Sequence, residues 1–252
     1  MLEHNLHHVH TGGAHDPDVV EANMAFVRES SAPRWRKVLT ALLVMCTWRL
    51  TYYAPSTFIQ LRRKEQGLPP TVYKITSIFM FAGMFNFIAS EGRRFWWRCI
   101  LPYTVLRFVV YPALFLPLGS DACIRVLIAL LIGEVCFNFY SWLVIASSHT
   151  AADLFRFDEK PTSKSVWLAH QVLGTCNYTR SPGIGDWTLG WINYHIEHHL
   201  APNLTALQLE RVSESTERAC RQAGLPYILD SLFARSLHMF RIVTGSESMR
   251  RA

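Results

Sequence analysis

The chain has 252 residues, of which 50% are hydrophobic and only 17% are charged. This composition excludes an intrinsically disordered chain, which requires low hydrophobicity and high charge. It also argues against an ordinary soluble domain, in which about a quarter of the residues are charged. The net charge is +6 with neutral histidines. Because the basic residues lie beside apolar segments, this charge fits a membrane surface at least as well as it fits nucleic acid.

The N-terminal region and the cysteines exclude some secreted classes of protein. The first residues are polar and rich in histidine, so we expect no cleavable signal peptide there. The six cysteines are spread along the chain without a CxxC pair. This spacing argues against a disulfide scaffold or a zinc ribbon and predicts free thiols.

Four apolar stretches follow the polar N-terminal region, at roughly 38–54, 72–90, 100–118 and 122–148. A membrane-spanning helix requires about 20 mostly apolar residues. The fourth stretch meets this requirement best, since Arg125, Glu134 and Asn138 are its only strongly polar residues. The pattern predicts an all-α integral membrane protein.

Loop charges predict the side of the membrane on which each stretch ends. The loop at residues 119–121 has no Lys or Arg. Basic residues flank the opposite ends of the third and fourth stretches: Arg93, Arg94, Arg98, Arg156, Lys160 and Lys164. The positive-inside rule therefore predicts that 100–118 and 122–148 form a hairpin whose tip faces away from the cytoplasm.

The first two stretches are harder to place. If both crossed the membrane, Arg62, Arg63 and Lys64 between them would lie on the side opposite to the other basic residues. We therefore predict an interfacial or re-entrant placement for 38–54 and 72–90. An arrangement with four crossings is the alternative.

Two histidine clusters share the spacing HxxHH: His4, His7 and His8, and His195, His198 and His199. On a helix, residues i, i+3 and i+4 lie on one face, so each cluster can aim three imidazoles at one point. Imidazole nitrogen suits iron, copper, nickel and zinc. One cluster could be a coincidence or a tag, but two predict a shared metal site. Sharing requires an even number of membrane crossings between the clusters.

His149 is a seventh candidate ligand because it follows the fourth apolar stretch. At about 100° per residue, Glu134, Asn138, Ser141, Ile145 and His149 lie along one stripe of a helix. Polar groups inside a membrane helix usually face the protein interior, so the stripe is predicted to point inward. An interfacial histidine is the alternative for His149. For Glu134 and Asn138 we predict hydrogen bonds between helices rather than chemistry.

The remaining motifs indicate no other chemistry. Surface or packing roles are predicted for four histidines: His10, His15, His170 and His238. The sequence has no phosphate-binding glycine loop and no GxSxG nucleophile motif. Glu197 precedes His198 and His199 directly, which is not the HExxH order of zinc proteases.

These features resemble the membrane fatty acyl desaturases, especially their front-end branch. Residues 4–8, followed by Asp16-Pro17-Asp18, resemble the second histidine box and the acidic turn after it. Residues 175–177, 185–187 and 193–202 resemble the stretch through the third box. The first residue of that box is often Gln in front-end members and is His195 here. His149 corresponds to an additional ligand of the family, and the resemblance extends to about residue 240.

The resemblance implies one desaturase domain over residues 1–252, with a di-iron site on the cytoplasmic side of a membrane. The implied iron ligands are His4, His7, His8, His149, His195, His198 and His199. It also implies desaturation of a lipid acyl chain with O2, using electrons from NAD(P)H through cytochrome b5 or ferredoxin. The membrane would be the endoplasmic reticulum in a eukaryote and the inner membrane in a bacterium.

The sequence departs from the family pattern at its N-terminus. The first histidine box, HxxxH, would lie upstream of residue 1, and no cytochrome b5-like domain occurs in the sequence. We therefore expect the chain to correspond to the C-terminal part of a desaturase, which would bind its second iron weakly without the missing ligands. The alternatives are a hydroxylase or ketolase on the same scaffold, and a catalytically inactive membrane protein.

Overall fold

A computed structural model of the chain describes residues 2–69, 83–181 and 183–252. These residues are mostly helical, as predicted. The chain divides into two compact units. Residues 1–41 and 142–252 form the first, which we call the histidine unit, and residues 42–141 form the second, the apolar unit.

The helices are, in chain order, α1 (Leu2–His10), α2 (Val20–Asn23), α3 (Ala25–Arg28), α4 (Arg34–Trp48), α5 (Ala54–Glu65), α6 (Ser90–Phe95), α7 (Leu101–Val105), α8 (Tyr111–Ala113), α9 (Ser120–Ser147), α10 (Lys164–Leu173), α11 (Ile184–Thr188), α12 (His195–Leu200), α13 (Ala206–Gln222) and α14 (Leu232–Val243). Turns of π-helix connect α4 to α5, α6 to α7 and α7 to α8. The strands are β1 (Phe155–Arg156), β2 (Asn177–Tyr178), β3 (Leu229–Asp230) and β4 (Arg250–Arg251).

Within the described residues, two helical segments are long and apolar enough to cross a membrane: Ser90–Leu118, with 29 residues, and Ser120–Ser147, with 28. They match the third and fourth apolar stretches, although the first of them begins ten residues earlier than the stretch at 100–118. Only 11% of each apolar window is buried, which is unlike the core helix of a soluble protein. The first stretch, 38–54, lies in α4 and in the π-helical turn after it and reaches only the first residue of α5, while residues 72–82 of the second fall outside the described residues.

A buried carboxylate connects three helical segments of the apolar unit. Glu134 on α9 accepts a hydrogen bond from the Tyr103 hydroxyl at 2.6 Å and pairs with Arg107 at 3.1 Å and Arg49 at 3.4 Å. The Asn138 side-chain oxygen accepts a hydrogen bond from the backbone N–H of Arg49 at 2.7 Å. These contacts confirm the predicted interhelical role of Glu134 and Asn138.

The histidine unit is stabilised by short parallel strand pairs, β1 with β4 and β2 with β3. Arg235 on α14 is buried and donates two hydrogen bonds to the Asp153 carboxylate, at 2.6 and 2.7 Å. Val172, Ile196 and Cys220 form a core cluster that packs α10, α12 and α13 together. This packing fixes α12, which carries the second histidine cluster.

The predicted stripe on the fourth apolar stretch is correct only in part. Glu134, Asn138 and His149 are buried, but α9 ends at Ser147. His149 therefore lies two residues beyond the helix, where its backbone N–H donates to the Ala146 carbonyl oxygen at 3.3 Å.

Candidate metal centre

The structure brings together the imidazoles of all seven predicted ligands within the histidine unit. His4, His7 and His8 lie on α1, His195, His198 and His199 lie on α12, and His149 follows α9. Six of them form two groups, in each of which the ligand nitrogens lie within 4.8 Å of one another. We call His7, His149 and His199 the inner cluster, and His4, His8 and His198 the outer cluster.

The inner cluster is buried, and His195 lies beside it. The Nε2 atom of His7 is 3.2 Å from the Nε2 atoms of both His149 and His199. The Nε2 atom of His195 is 2.6 Å from that of His149. All four rings are therefore directed toward one small volume.

The outer cluster is more open to solvent. The Nε2 atom of His8 lies 3.1 Å from those of His4 and His198, which are 3.3 Å apart from each other. His4 is exposed, His198 is half-buried and His8 is buried. The three nitrogens form a nearly equilateral triangle.

The nitrogen separations of 3.1–3.3 Å within the two clusters fit metal coordination. Metal–nitrogen bonds of about 2.0–2.1 Å at right or tetrahedral angles separate neighbouring nitrogens by about 2.8–3.4 Å. The 2.6 Å between His195 and His149 is shorter than this range. Hydrogen bonds between the rings explain the triangle less well. One proton can bridge only two of the three nitrogens, so the third nitrogen would face the lone pair of a neighbouring ring. The donor set consists of imidazoles, which suits iron as well as copper, nickel and zinc.

Each ring of the inner cluster has an acceptor at its other nitrogen. The His7 Nδ1 atom lies 2.7 Å from the Asp16 carboxylate, and His149 Nδ1 lies 3.3 Å from the carbonyl oxygen of Gly174. The His199 Nδ1 atom lies 3.0 Å from the Gln171 side-chain oxygen. An acceptor at Nδ1 retains the proton there and leaves the Nε2 lone pair free for a metal.

Asp16 is itself held by the backbone. One carboxylate oxygen accepts a hydrogen bond from the Gly12 N–H at 2.7 Å, and the other accepts one from the Asp18 N–H at 2.8 Å. Gly12 has φ +69°, and a Cβ atom there would lie 2.9 Å from the carbonyl oxygen of Phe155. Glycine is therefore required at this turn, which aims Asp16 at His7.

Burial keeps most of the rings neutral. It lowers the pKa of His149, His195 and His199 well below the usual value, and neighbouring imidazoles lower it further. Burial and neighbouring rings also lower the pKa of His8 to about 3 and that of His198 to about 4. A neutral ring presents the lone pair that a metal requires.

His7 differs from the other rings because of its carboxylate partner. Burial by itself lowers the pKa of His7, but the charge and hydrogen bond of Asp16 outweigh it and raise the pKa to about 9. The surroundings of His7 thus favour a positive charge at this position, and a bound metal cation would supply one.

A second polar network holds α12 in place. The Glu197 carboxylate is buried and accepts hydrogen bonds from the Asn177 amide at 2.8 Å and the Tyr227 hydroxyl at 2.7 Å. The side-chain oxygen of Asn177 accepts a hydrogen bond from the Ile196 N–H at 2.7 Å. Because α12 supplies ligands to both clusters, this network orients both.

Some supporting residues were not indicated by the sequence pattern. Gln171 and Tyr227 have no predicted role, although they hold His199 and Glu197. Thr11 lies 3.2 Å from His199 Nδ1 and donates a hydrogen bond to the Gln171 oxygen at 2.8 Å. The sequence feature that could have indicated Gln171 is its position as a polar residue in the otherwise apolar segment after His170.

The four other histidines have the surface and packing roles predicted for them. His170 stacks on Phe157 with ring centroids 3.6 Å apart. His10 and His15 contact each other edge to face at 5.7 Å. His238 lies 3.1 Å from the Glu247 carboxylate. None of the four belongs to either metal-ligating group found within the described residues.

Three relatives found by comparison with known proteins are described as desaturases. The Delta(6)-fatty-acid desaturase of Caenorhabditis elegans is 33% identical over 90 residues, which cover 36% of this chain and 20% of the relative. Delta(8)-fatty-acid desaturase 2 of Arabidopsis thaliana is 24% identical over 245 residues, covering 89% of this chain and 47% of the relative. The NADPH-dependent stearoyl-CoA 9-desaturase of Mycobacterium tuberculosis is 30% identical over 132 residues, covering 51% of this chain and 30% of the relative.

The matched region spans less than half the length of each of these three relatives. No solved structure matches the chain. The family model described as fatty acid desaturase matches residues 1–231, which include both histidine clusters and His149. The chain therefore belongs to the fatty acid desaturase family.

Proposed function

We propose that the chain is a membrane fatty acyl desaturase that uses O2 and two histidine-bound irons to introduce a double bond into an acyl chain. The observation that carries this proposal is the convergence of two HxxHH helices and His149 on adjacent nitrogen clusters. Residues 1–252 would act as one desaturase domain, which the family match over residues 1–231 supports.

In this proposal each cluster holds one iron. His7, His149 and His199 would bind the inner iron together with His195, and His4, His8 and His198 would bind the outer iron. The iron would supply the O2-dependent oxidation of unactivated methylene groups, which no amino-acid side chain can perform. The residues of the chain orient the rings, through Asp16, Gln171 and the Gly174 carbonyl, and exclude water from the inner cluster.

The partners follow from the same proposal. The substrate would be a lipid acyl chain, bound along apolar side chains where each buried CH2 contributes about 0.8 kcal/mol. Electrons would come from NAD(P)H through cytochrome b5 or ferredoxin. The protein would lie in the endoplasmic reticulum or in a bacterial inner membrane, with both clusters on the cytoplasmic side. Its two apolar helices and its family support the membrane placement.

Lipid profiling in a heterologous host tests this function. Cells that express the chain should accumulate an acyl species two mass units lighter than its precursor, and mass spectrometry after double-bond derivatisation would locate the new bond. A variant with His198→Ala is the matched control. Hydroxylated or oxidised acyl chains would instead support a hydroxylase or ketolase on the same scaffold. An iron-loaded protein that yields no product, when supplied with an electron donor, would contradict catalysis.

A further inference from the structure

We propose that a basic surface at one end of the apolar unit binds the phosphate groups of anionic phospholipids. This surface, which we call the basic collar, consists of Arg62, Arg63, Lys64, Arg93, Arg94 and Arg98. The inference rests on the membrane placement proposed above but not on the desaturase chemistry.

The net charge of the protein lies entirely in the apolar unit. Residues 42–141 contain ten basic and four acidic residues, whereas the rest of the chain contains 15 of each, so the formal +6 belongs to this unit. Six of the ten basic residues are those of the collar. An excess of charge on the more apolar unit is typical of contact with an anionic membrane surface.

The fold brings two separate basic segments together. Arg62 near the end of α5 pairs with Glu91 on α6 at 3.2 Å, and Arg94 pairs with the same carboxylate at 2.9 Å. Phe58 on α5 and Phe95 on α6 pack against each other beneath these pairs, with ring centroids 5.5 Å apart. The end of α5 and the start of the helical segment Ser90–Leu118 are therefore neighbours.

The collar has more positive charge than its own carboxylates neutralise. Its six basic residues face only Glu65 and Glu91, which leaves a net charge of +4. Four collar residues form no ion pair within the described residues: Arg63, Lys64, Arg93 and Arg98. Two of them donate hydrogen bonds to backbone carbonyl oxygens instead, Arg63 to that of Pro69 and Arg93 to that of Ile88. Lys64, Arg93 and Arg98 are also exposed, so an external anion can reach them.

Apolar side chains beside the collar favour a lipid over an acidic protein. Trp97 is 65% exposed, Ile88 85% and Phe87 50%. Tryptophan beside arginine is typical of a membrane interface, where the indole lies at headgroup level. The apolar helical segment Ser90–Leu118 begins at the same place, so hydrocarbon contact and phosphate contact are adjacent.

A cavity at the collar offers room for part of such a lipid. It has a volume of about 210 Å³, and Phe58, Ile59 and Met84 contribute its apolar walls. Arg62 and Arg63 also line it, together with Gln66 and the Glu91 carboxylate that pairs with Arg62. This combination fits a phosphate bound by guanidinium groups, with the adjoining methylene groups against the apolar walls.

Quenching of Trp97 fluorescence by brominated lipids tests the proposal with the full chain in nanodiscs. The fluorescence of Trp97 is obtained by subtracting the fluorescence of the Trp97→Phe variant from that of the unsubstituted protein. Brominated phosphatidylglycerol should quench it more strongly than brominated phosphatidylcholine at equal mole fraction, and the preference should decrease as salt is added. At about 1 kcal/mol per basic residue, each removed charge should lower the local enrichment of anionic lipid up to fivefold.

The collar variant Arg63→Gln/Lys64→Gln/Arg98→Gln should abolish the preference. A matched variant, Arg125→Gln/Arg218→Gln/Arg221→Gln, removes three exposed charges elsewhere and should retain it. The single change Arg98→Gln, at an exposed residue without an ion pair, provides the same test if the triple variant does not fold.

Equal quenching by the two lipids, or a preference that persists in the collar variants, would overturn the proposal. The proposal would also be overturned if an acidic electron-transfer protein no longer reduces a collar variant whose lipid preference is unchanged, because the surface would then bind protein. Since the lipid-quenching measurement requires neither iron nor turnover, its failure is distinguishable from failure of the proposed desaturase function.

Discussion

The inner and outer histidine clusters both take imidazoles from α1 and α12, to which the inner cluster adds His149, but their surroundings differ. His7, His149 and His199 are buried, and each has an acceptor at Nδ1, although the buried Nδ1 atom of the neighbouring His195 has none among the described residues. In the outer cluster His4 is exposed, and the buried Nδ1 atom of His8 has no hydrogen-bond partner among the described residues. The two clusters thus offer similar ligands with different degrees of preorganisation.

This difference indicates that the inner site should bind its metal more tightly. Rings held in place at Nδ1 lose little freedom on coordination, whereas exposed rings must be ordered by the metal itself. A chelator should therefore remove metal from the outer site first. The changes below test this contrast, from the largest expected effect to the smallest.

Ligand removal should have the largest effect. His199→Ala and His198→Ala, neighbours on α12, should each lower desaturation at least about 100-fold, because the proposed reaction requires both irons. Only His199→Ala should also destabilise the fold, by about 1–3 kcal/mol, since it removes a fully buried ring together with its hydrogen bond to the Gln171 oxygen. Product yield and chemical denaturation measure the two effects. Full activity of the His198 variant would contradict its assignment as a ligand.

Removing the charge at Asp16 should weaken the inner site while all ligands remain. Asp16→Asn should lower metal affinity about 10–100-fold, as loss of a carboxylate partner of a metal-bound histidine typically does. Competition with a metal-binding dye measures this affinity. Asp158→Asn, at an exposed carboxylate that lies 3.9 Å from Arg251, is the control and should have no effect. Equal affinities of the two variants would show that the inner site does not depend on its surroundings.

Gln171→Leu should have a smaller effect on the same site. It removes the acceptor at His199 Nδ1, and we expect about a tenfold loss of inner-site affinity because Thr11 remains nearby. Gln222→Leu, at an exposed residue at the end of α13, serves as the comparison. A loss confined to the outer site would contradict the contact between Gln171 and the inner cluster.

Tyr227→Phe should affect both clusters slightly and equally. It removes one of the two side-chain hydrogen bonds to Glu197 on the helix that supplies ligands to both sites. We expect a loss of about 1 kcal/mol in the free energy of unfolding and little change in the ratio of the two metal affinities. Denaturant titration measures the first quantity. A selective effect on one cluster would show that α12 does not move as a unit.

Local spacing explains which parts of the site the sequence could predict. The i, i+3, i+4 spacing alone places the histidines of each cluster on one helix face, independently of the rest of the fold. This applies to His4, His7 and His8 and to their counterparts on α12. The helices at 90–118 and 120–147 follow from apolar length in the same way. Glu134 and Asn138 were predictable as interhelical contacts because polar groups in an apolar helix require partners.

The supporting contacts were not predictable because they join distant segments. Gln171 and Thr11 are 160 residues apart, and Tyr227 reaches Glu197 from a loop 30 residues away. Polar residues of these types are common at protein surfaces, so their identity alone carries no signal. His149 was placed at a helix end by periodicity, but its loop position depends on the contact with Gly174.

Metal content with X-ray absorption spectroscopy tests the central claim most directly. The full chain, purified and loaded with iron, should contain two irons per chain coordinated mainly by imidazole nitrogen. His198→Ala should retain the inner iron, and brief treatment with a chelator should leave the same iron in the unsubstituted protein. One iron or none in the folded protein at saturating iron, or coordination dominated by sulfur, would contradict the two-cluster site.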